Sequence, residues 1–459
     1  MVSTAARLRL LIVRPLWFDE VFTLWAARLP FRQLSDVLRN DSGPPLFYLL
    51  EKPFVAIGER LSADVFARAL PFAATLALLV GAFSLPSRAA RIRFVVLASV
   101  SPLLLLYSAE ARAYALLSLA VFLLFLLAFI LPERPRNFAA IALFSAVSLY
   151  LHYLALFAVA ALAAVAAAEK RRRSALAALG GAALFLFWIP IMRAQPRQAV
   201  AWMHEPAAEL ASGILASLGG AGRIPPPFGP PLPLALVALG GVLGLVLASS
   251  LARSWHVDPK LRRASAFLVL FFGSVLFASL AHPIAFAGRT EMAVLPVWLW
   301  TVALAGERSR FLRGATWSAV AIASLSTVLS VAAPRGPSAA AWTLEALERT
   351  GRQGDVLFAG ASFYLPARLA ADRGRLPMSV HAFPLEQAAH PGWTVPRRSR
   401  AEDEAAVERA LARAGPTGRV FFQVPPSYRK ELHPLLAARG VTRRIVETPE
   451  MVLLVWSAK

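Results

Sequence analysis

Residues 114–131 read YALLSLAVFLLFLLAFIL, a run with no charged side chain. A helix crossing the hydrocarbon core of a bilayer needs about 20 predominantly apolar residues. A surface helix of a soluble protein would show a polar stripe every three to four residues, and this run has none. The polar residues stand at its two ends. Before it comes the short turn Ser108–Ala113, with Glu110 and Arg112, and after it Pro132-Glu-Arg-Pro-Arg136.

Runs of similar character lie on both sides of this one. They are Val65–Leu85, Phe94–Tyr107, Phe138–Leu151, Tyr153–Ala168, Ala175–Met192, Leu232–Leu251, Ser265–Ala281, Met292–Gly306 and Ala315–Ala333. The first sixteen residues, Met1–Leu16, hold one apolar stretch, Leu8–Val13, cut short by Arg14, which reads as a clipped first span; no cleavable signal peptide is evident. The expected fold is mainly α: a polytopic transmembrane helical bundle of about 10–11 spans. Juxtamembrane helices on the outward side and a small C-terminal α/β soluble domain complete it. The domains divide as 1–333, a membrane domain whose first outward loop is 17–64, and 334–459, an extracytoplasmic domain.

Composition agrees with a membrane chain. The 459 residues are 58% hydrophobic, and the mean hydropathy is +0.58. A soluble protein of this length has to present more polar surface. The net charge of +21 would suggest nucleic acid in a soluble protein. Here the basic residues fall in alternate loops: Arg88, Arg91 and Arg93; Arg134 and Arg136; Lys170–Arg173; Arg253, Lys260, Arg262 and Arg263; Arg308, Arg310 and Arg313. That alternation places these loops in the cytoplasm, and no nucleic-acid partner is needed to explain the charge. The same charges also suit anionic lipid headgroups or phosphates. Cysteine is absent, which removes disulfides, thiol nucleophiles and thiolate metal sites together.

Four features then face outward: the loop Trp17–Asp64, the turn Ser108–Ala113, the Pro-rich stretch Arg193–Pro231 with Pro225-Pro226-Pro227, and the tail after Ala333. The tail opens with the linker Pro334-Arg-Gly-Pro337. A helical pattern at Ala339–Thr350, a strand at Asp355–Ala359, a charged helix at Arg400–Ala414 and strands at Arg419–Val424 and Met451–Trp456 follow.

The chemistry-bearing residues cluster on that side. Asp19 and Glu20 sit just past the membrane boundary, where acids are costly unless solvated, paired or used. They suit either a helix start or a general base for an attacking hydroxyl. On a helix they point about 100° apart, so they do not share one role. Phe31–Leu38 reads as an amphipathic turn or two. Pro44-Pro45 ends one helix and starts another, running to about Gly58, with Lys52, Arg60 and Arg68 nearby. Glu110 and Arg112 either satisfy each other or divide the work. In the second reading Arg112 holds a phosphate, whose oxygens match a guanidinium, and Glu110 orients a metal, a sugar or an acceptor. His152-Tyr153 at another outward turn is more often structural. Arg289, in Ala287-Gly-Arg-Thr-Glu291, is a second phosphate-ligand candidate. No HExxH, Walker A loop or dinucleotide-binding glycine motif occurs.

Trp17-Phe-Asp-Glu20, Asp41-Ser-Gly-Pro-Pro-Leu-Phe-Tyr48, Arg68 and Tyr107-Ser-Ala-Glu-Ala-Arg-Ala-Tyr114 together resemble the GT-C superfamily of membrane glycosyltransferases. The similarity is to its protein O-mannosyltransferase and aminoarabinose-transferase branch, which has bacterial members acting on lipopolysaccharide and other envelope glycans. It covers roughly residues 15–330. It implies a polyprenyl-phosphate-linked sugar donor, transfer with inversion, and an outward active site in the bacterial inner membrane. The acceptor would be an envelope lipid, a glycan or a protein hydroxyl. The base maps to Asp19, with Glu20 and Glu110 as further catalytic carboxylates. Arg112, Lys52, Arg68, Arg289, Tyr114 and His152 map to the lipid phosphate and donor, and Asp41 and Tyr48 to the acceptor or its loop. A divalent cation, Mg²⁺ or Mn²⁺, would be held by Glu20 or Glu110. Many relatives have His before the double proline, where this chain has Gly43. The rival class is a transporter or flippase of a lipid-linked saccharide, which would show broken helices near the midplane and repeat symmetry.

Overall fold

The computed structural model describes residues 16–61, 64–196, 206–222, 232–253, 258–332, 339–388, 400–414, 418–424, 436–438, 440–447 and 451–458. The stretch Leu8–Val13, the triple proline at 225–227 and the linker at 334–337 lie outside them. The chain divides into two compact units, Ala27–Pro334 and Leu16–Ala26 with Arg335–Lys459. The segment bearing Asp19 and Glu20 thus groups with the C-terminal residues and not with the helical bundle.

In the first unit every apolar run becomes helix. Five helices are long and apolar enough to cross a membrane: Asp64–Ser84, Arg172–Ala194, Leu234–Arg253, Pro259–Ala281 and Arg310–Ser330. Shorter apolar helices cover Tyr114–Ile130, Pro135–Leu151, Ala155–Ala168, Ala207–Leu218 and Leu295–Ala305. The protein is a multi-pass membrane protein. The run expected as one helix at Phe94–Tyr107 is broken: Arg88–Val100 and Pro102–Ser108 meet at 61°. Pro102 has no N–H to give to the preceding turn and drives Ser101 out of the helical region. Ser101 sits at φ −60°, ψ 119°, and its Oγ accepts from the Leu104 N–H.

The Pro-rich stretch Arg193–Pro231, expected as loop, contains the buried helix Ala207–Leu218. It packs backbone to backbone on Leu234–Arg253. A Cβ on Gly219 would stand 1.9 Å from the Gly240 carbonyl oxygen, and one on Gly244 would stand 2.1 Å from the Leu215 carbonyl oxygen. Small residues four apart allow this approach, which apolar side chains in lipid cannot replace. Gly244→Leu should therefore lower the melting temperature of detergent-solubilised protein, by a loss of about 1–3 kcal/mol or more. Gly241→Leu, where a Cβ meets nothing within 4 Å, should leave it unchanged. Equal melting of the two variants would refute the packing argument.

The basic loops meet at one end of the bundle and are tied to one another across it. Glu169 takes Arg262 at 2.8 Å and Arg263 at 2.9 Å. Hydrogen bonds from Arg262 hold the Glu169 carboxyl below its usual range. Glu133 takes Arg171 at 3.1 Å, Asp258 pairs with Arg308, and Glu307 accepts from the Ser87 hydroxyl. The turn Ser108–Ala113, the His152 turn and the loop before Leu295 lie at the other ends of the same helices.

The second unit carries a five-stranded mixed sheet. Its strands are β1 (Val356–Ala359), β2 (Ser379–Ala382), β3 (Arg419–Val424), β4 (Gly440–Glu447) and β5 (Val452–Ala458), in the order β2-β1-β3-β5-β4. β1 pairs in parallel with β2 and β3, while β3–β5 and β4–β5 are antiparallel. The helix Ala361–Asp372 links the parallel pair β1 and β2. Helix Arg400–Ala414 buries Val407 and Leu411 in a core with Phe358, Phe422 and Trp456. Arg419 closes one edge of the core by pairing with Asp355 at 2.6 Å.

Candidate functional site

The helix Pro102–Ser108 ends at Ala109, and the turn that follows folds inward. Ala109 and Ala111 have no exposed surface, and Glu110 is 1% exposed. The Arg112 N–H donates to the Glu110 carbonyl at 2.7 Å. The turn expected at the membrane surface is therefore enclosed by protein, with the Arg112 side chain half-exposed.

Next to this turn is a stack of rings. The Tyr107 and Tyr114 centroids are 4.8 Å apart, and Tyr114 and His152 are 5.3 Å apart. The Arg289 guanidinium lies 5.8 Å from the Tyr114 ring and 5.7 Å from that of Phe286, within cation–π range. Arg289, Glu110 and Glu291 all act electrostatically on the Tyr107 hydroxyl.

The loop carrying Arg289 is fixed by its own side chains. Both Glu291 carboxylate oxygens accept from the Gly288 N–H, at 3.1 and 2.8 Å. The Thr290 hydroxyl accepts from the Phe286 N–H at 2.9 Å. Gly288 stands at φ 88°, a conformation that a side chain would strain. Ser118, one turn along the helix from Tyr114, donates to the Met292 carbonyl and ties this loop to the ring stack.

His152 caps its own turn, its Nδ1 accepting from the Leu154 N–H at 3.1 Å. An accepting Nδ1 assigns the proton to Nε2 and makes the ring neutral. Burial first, then the Arg112 and Arg289 charges, push its pKa down to about 3. Arg112 and Arg289, 177 positions apart in the sequence, thus bear on one imidazole. Both positive charges bear on this neutral ring, with the Glu110 and Glu291 carboxylates acting in the same neighbourhood.

The loop at Asp41–Gly43 is held by a residue that the sequence did not single out. Gln195 Nε2 donates to the Leu38 and Gly43 carbonyls at 2.8 and 3.2 Å. Its Oε1 accepts from the Tyr153 hydroxyl at 2.9 Å, which in turn accepts from Trp188 Nε1 at 3.0 Å. Asp41 lies within electrostatic reach of Tyr153. Tyr48 is buried, and its hydroxyl would be 3.8 Å from a Cβ on Gly43. A Cβ at position 43 would therefore make ordinary contact only.

Lys52 donates from its Nζ to the Leu29 carbonyl. Arg68 is 1% exposed, in the 3₁₀ turn Asp64–Arg68. Glu51 has no exposed surface. It drew no attention in the sequence because one acid in an apolar helix has no distinguishing spacing.

In the other unit Asp19 and Glu20 occupy the first turn of helix Phe18–Arg28, 6% and 0% exposed. Glu20 Oε2 accepts from the Trp17 N–H at 3.3 Å, as a third-position acid does in a capping box. The Thr23 hydroxyl donates to the Asp19 backbone carbonyl at 2.9 Å. Adjacent carboxylates have thus taken different orientations, as their spacing on a helix requires. Among the described residues no group of three or more His, Asp or Glu side chains could hold a metal ion.

No family model matches the chain, and no curated protein does. Two solved structures of ArnT from Cupriavidus metallidurans are similar to it, one bound to undecaprenyl phosphate and one in the apo state. Each aligns at a TM-score of 0.59 and 12% identity, over 99% of this chain and 96% of its own. At that identity the likeness is one of fold, and it extends over nearly the whole of both chains.

Proposed function

We propose that the protein is a membrane glycosyltransferase. It moves a sugar from a polyprenyl-phosphate-linked donor to a hydroxyl of an envelope lipid, glycan or protein, with inversion. The observation that carries this reading is the Tyr107–Tyr114–His152 ring stack with the Arg289 guanidinium 5.8 Å from the Tyr114 ring. The fold likeness to a protein solved with undecaprenyl phosphate supports it.

A sugar on a polyprenyl phosphate cannot leave the bilayer, so its leaving group has to be met at the end of a helical bundle. Arg112 and Arg289 hold the phosphate and stabilise the charge that grows on it as the C1–O bond breaks. The acceptor hydroxyl attacks C1 from the opposite face, which inverts the configuration, and Asp19 takes its proton. Glu20 caps its helix, and the base role is given to Asp19 because the family resemblance maps it there. Tyr114 and His152 line the donor site, and Asp41 and Tyr48 belong to the loop on the acceptor side. No step is routed through a metal. A cation held by Glu110 would need the donor phosphate as a further ligand. By the charge asymmetry of the loops, the reacting end and the C-terminal domain face outward from the bacterial inner membrane.

The broken helix at Ser101–Pro102 is the feature that a transporter or flippase would share. The cavity beside it, lined by residues including Leu97, Ser101, Ser217 and Trp298, measures about 10 Å³, space for about one water at most.

The deciding experiment supplies purified protein with a labelled polyprenyl-phosphate sugar and an extract of envelope lipids and glycans, with and without EDTA. We expect labelled product in both. Transport of label without a new glycosidic bond would establish the rival class. Loss of transfer in EDTA, restored by Mg²⁺ or Mn²⁺, would give Glu110 the metal-bridging role.

A further inference from the structure

At the basic end of the bundle a cavity of about 490 Å³ is lined by Ala89, Ile92, Arg93, Glu307, Arg313 and Trp317. None of these residues belongs to the candidate site of the preceding sections, and the transfer reaction makes no use of them. Its charges do not balance. Arg93 and Arg313 lie within electrostatic reach of each other, and Glu307 is the one carboxylate lining the cavity. That carboxylate is partly spent, since its Oε1 accepts from the Ser87 hydroxyl and stands 3.7 Å from Arg93 Nη2, beyond a good hydrogen bond.

Arg93 is 4% exposed, and its Nη2 has no hydrogen-bond partner. Its Nε is fixed by the Ala303 carbonyl at 3.0 Å, and the Nε of Arg313 by the Gly306 carbonyl at 3.3 Å. Both guanidiniums are thus positioned from behind. A buried donor without an acceptor is costly, and two cations around one half-used carboxylate leave a net positive site. Its missing complement is an anion with oxygens to spare.

The walls decide which anion. Ile92 and Trp317 line the same cavity and are 46% and 44% exposed. Trp317 projects from Arg310–Ser330, a helix apolar and long enough to span a membrane. Phe311, on the same helix, is 61% exposed. A free phosphate has no use for an apolar rim, whereas a phospholipid places its headgroup on the arginines and its chains along Ile92 and Trp317. Trp317 stands two turns into its helix from the basic end, a depth near the interface where tryptophan is at home, and basic pockets between helices suit anionic headgroups.

We infer that this cavity binds the phosphate headgroup of an anionic glycerophospholipid, with Arg93 and Arg313 as its ligands. The site is independent of sugar transfer, and its test does not measure turnover. Purified full-length protein in neutral detergent is mixed with phosphatidylglycerol or phosphatidylcholine, and the lipid retained is counted by native mass spectrometry. Phosphatidylglycerol should be retained in preference. Arg313→Gln should weaken its retention about fivefold, the order one basic residue contributes at a membrane surface. Arg313 is exposed, so its replacement leaves the core intact, whereas Arg93→Gln risks the fold and serves only as a second variant. Arg310→Gln, an exposed neighbour outside the cavity, should change nothing. Equal retention of the two lipids, equal retention by Arg313→Gln and the parent chain, or displacement of the lipid by millimolar inorganic phosphate would each overturn the assignment.

Discussion

Asp19→Asn should reduce the turnover of sugar transfer about 10²–10⁴-fold, the range that a positioned general base contributes. The substitution keeps the shape of the side chain and removes its capacity to take a proton. The Thr23 hydroxyl bonds to the Asp19 backbone carbonyl, a contact that the substitution leaves in place. Donor binding should persist, so the loss should fall on kcat with KM little changed. Glu20→Gln provides the contrast. It weakens the bond to the Trp17 N–H, a capping contribution of about 1 kcal/mol. It should lower the melting temperature and leave turnover within a few-fold. Transfer by purified, folded Asp19→Asn at close to the parent rate would remove Asp19 from the mechanism.

The second large effect belongs to the arginines. Arg289→Ala and Arg112→Ala should each lower kcat/KM about 10²–10³-fold, as loss of one preorganised donor to a developing oxyanion does. Lysine at either position should restore only part of this, since a point charge does not reproduce the planar fork. Undecaprenyl phosphate, added as a product-like competitor, should inhibit these variants less than the parent protein. If inhibition is unchanged, the arginines do not hold the phosphate. His152 adds a pH signature. Its pKa of about 3 lies below the ordinary value near 6.5, so an unfolded chain binds the proton more readily than the folded one. The folded state should therefore lose stability from His152 as pH falls from about 6.5 towards 3, and lose none of it above that window. His152→Gln should flatten this part of a melting-temperature profile.

Most of the bundle could be read from sequence because the bilayer imposes a single requirement, a long apolar run, which no tertiary context overrides. All ten runs became helices. The exceptions each have a local cause. Ala207–Leu218 is too short for a spanning template and is hidden between prolines, and its burial depends on glycines of another helix. The break at Ser101–Pro102 was written as a Ser-Pro pair but sat inside an unbroken apolar run. In the C-terminal unit β2 has four residues, and helix Ala361–Asp372 contains Pro366. β4 is a half-exposed edge strand rich in charge; edge strands carry such residues to prevent further pairing.

The site divided along a similar line. Arg112, Arg289, His152 and Tyr114 stood out as candidates because unusual residues interrupt apolar runs at their ends. Gln195, Thr290 and Glu291 were not, because their work is to bond backbone groups. Gln195 does so across 152 and 157 positions, and nothing in local spacing records such a partner. Lys52 matched the pattern by type and position, and its amine also donates to the Leu29 carbonyl, a long-range bond that the sequence does not record.

The ion pairs at the basic end also set a timetable for assembly on the ribosome. Glu133 meets Arg171 one hairpin later, but Glu169 waits for Arg262 and Arg263, and Asp258 waits for Arg308. Ser87 and Arg93 wait longest, for Glu307. Early helices therefore enter the bilayer with acids and arginines whose partners have not yet been translated. The last fastening cannot close until nearly the whole helical unit has been made, so a nascent chain halted before residue 307 should remain open to protease at its first basic loop.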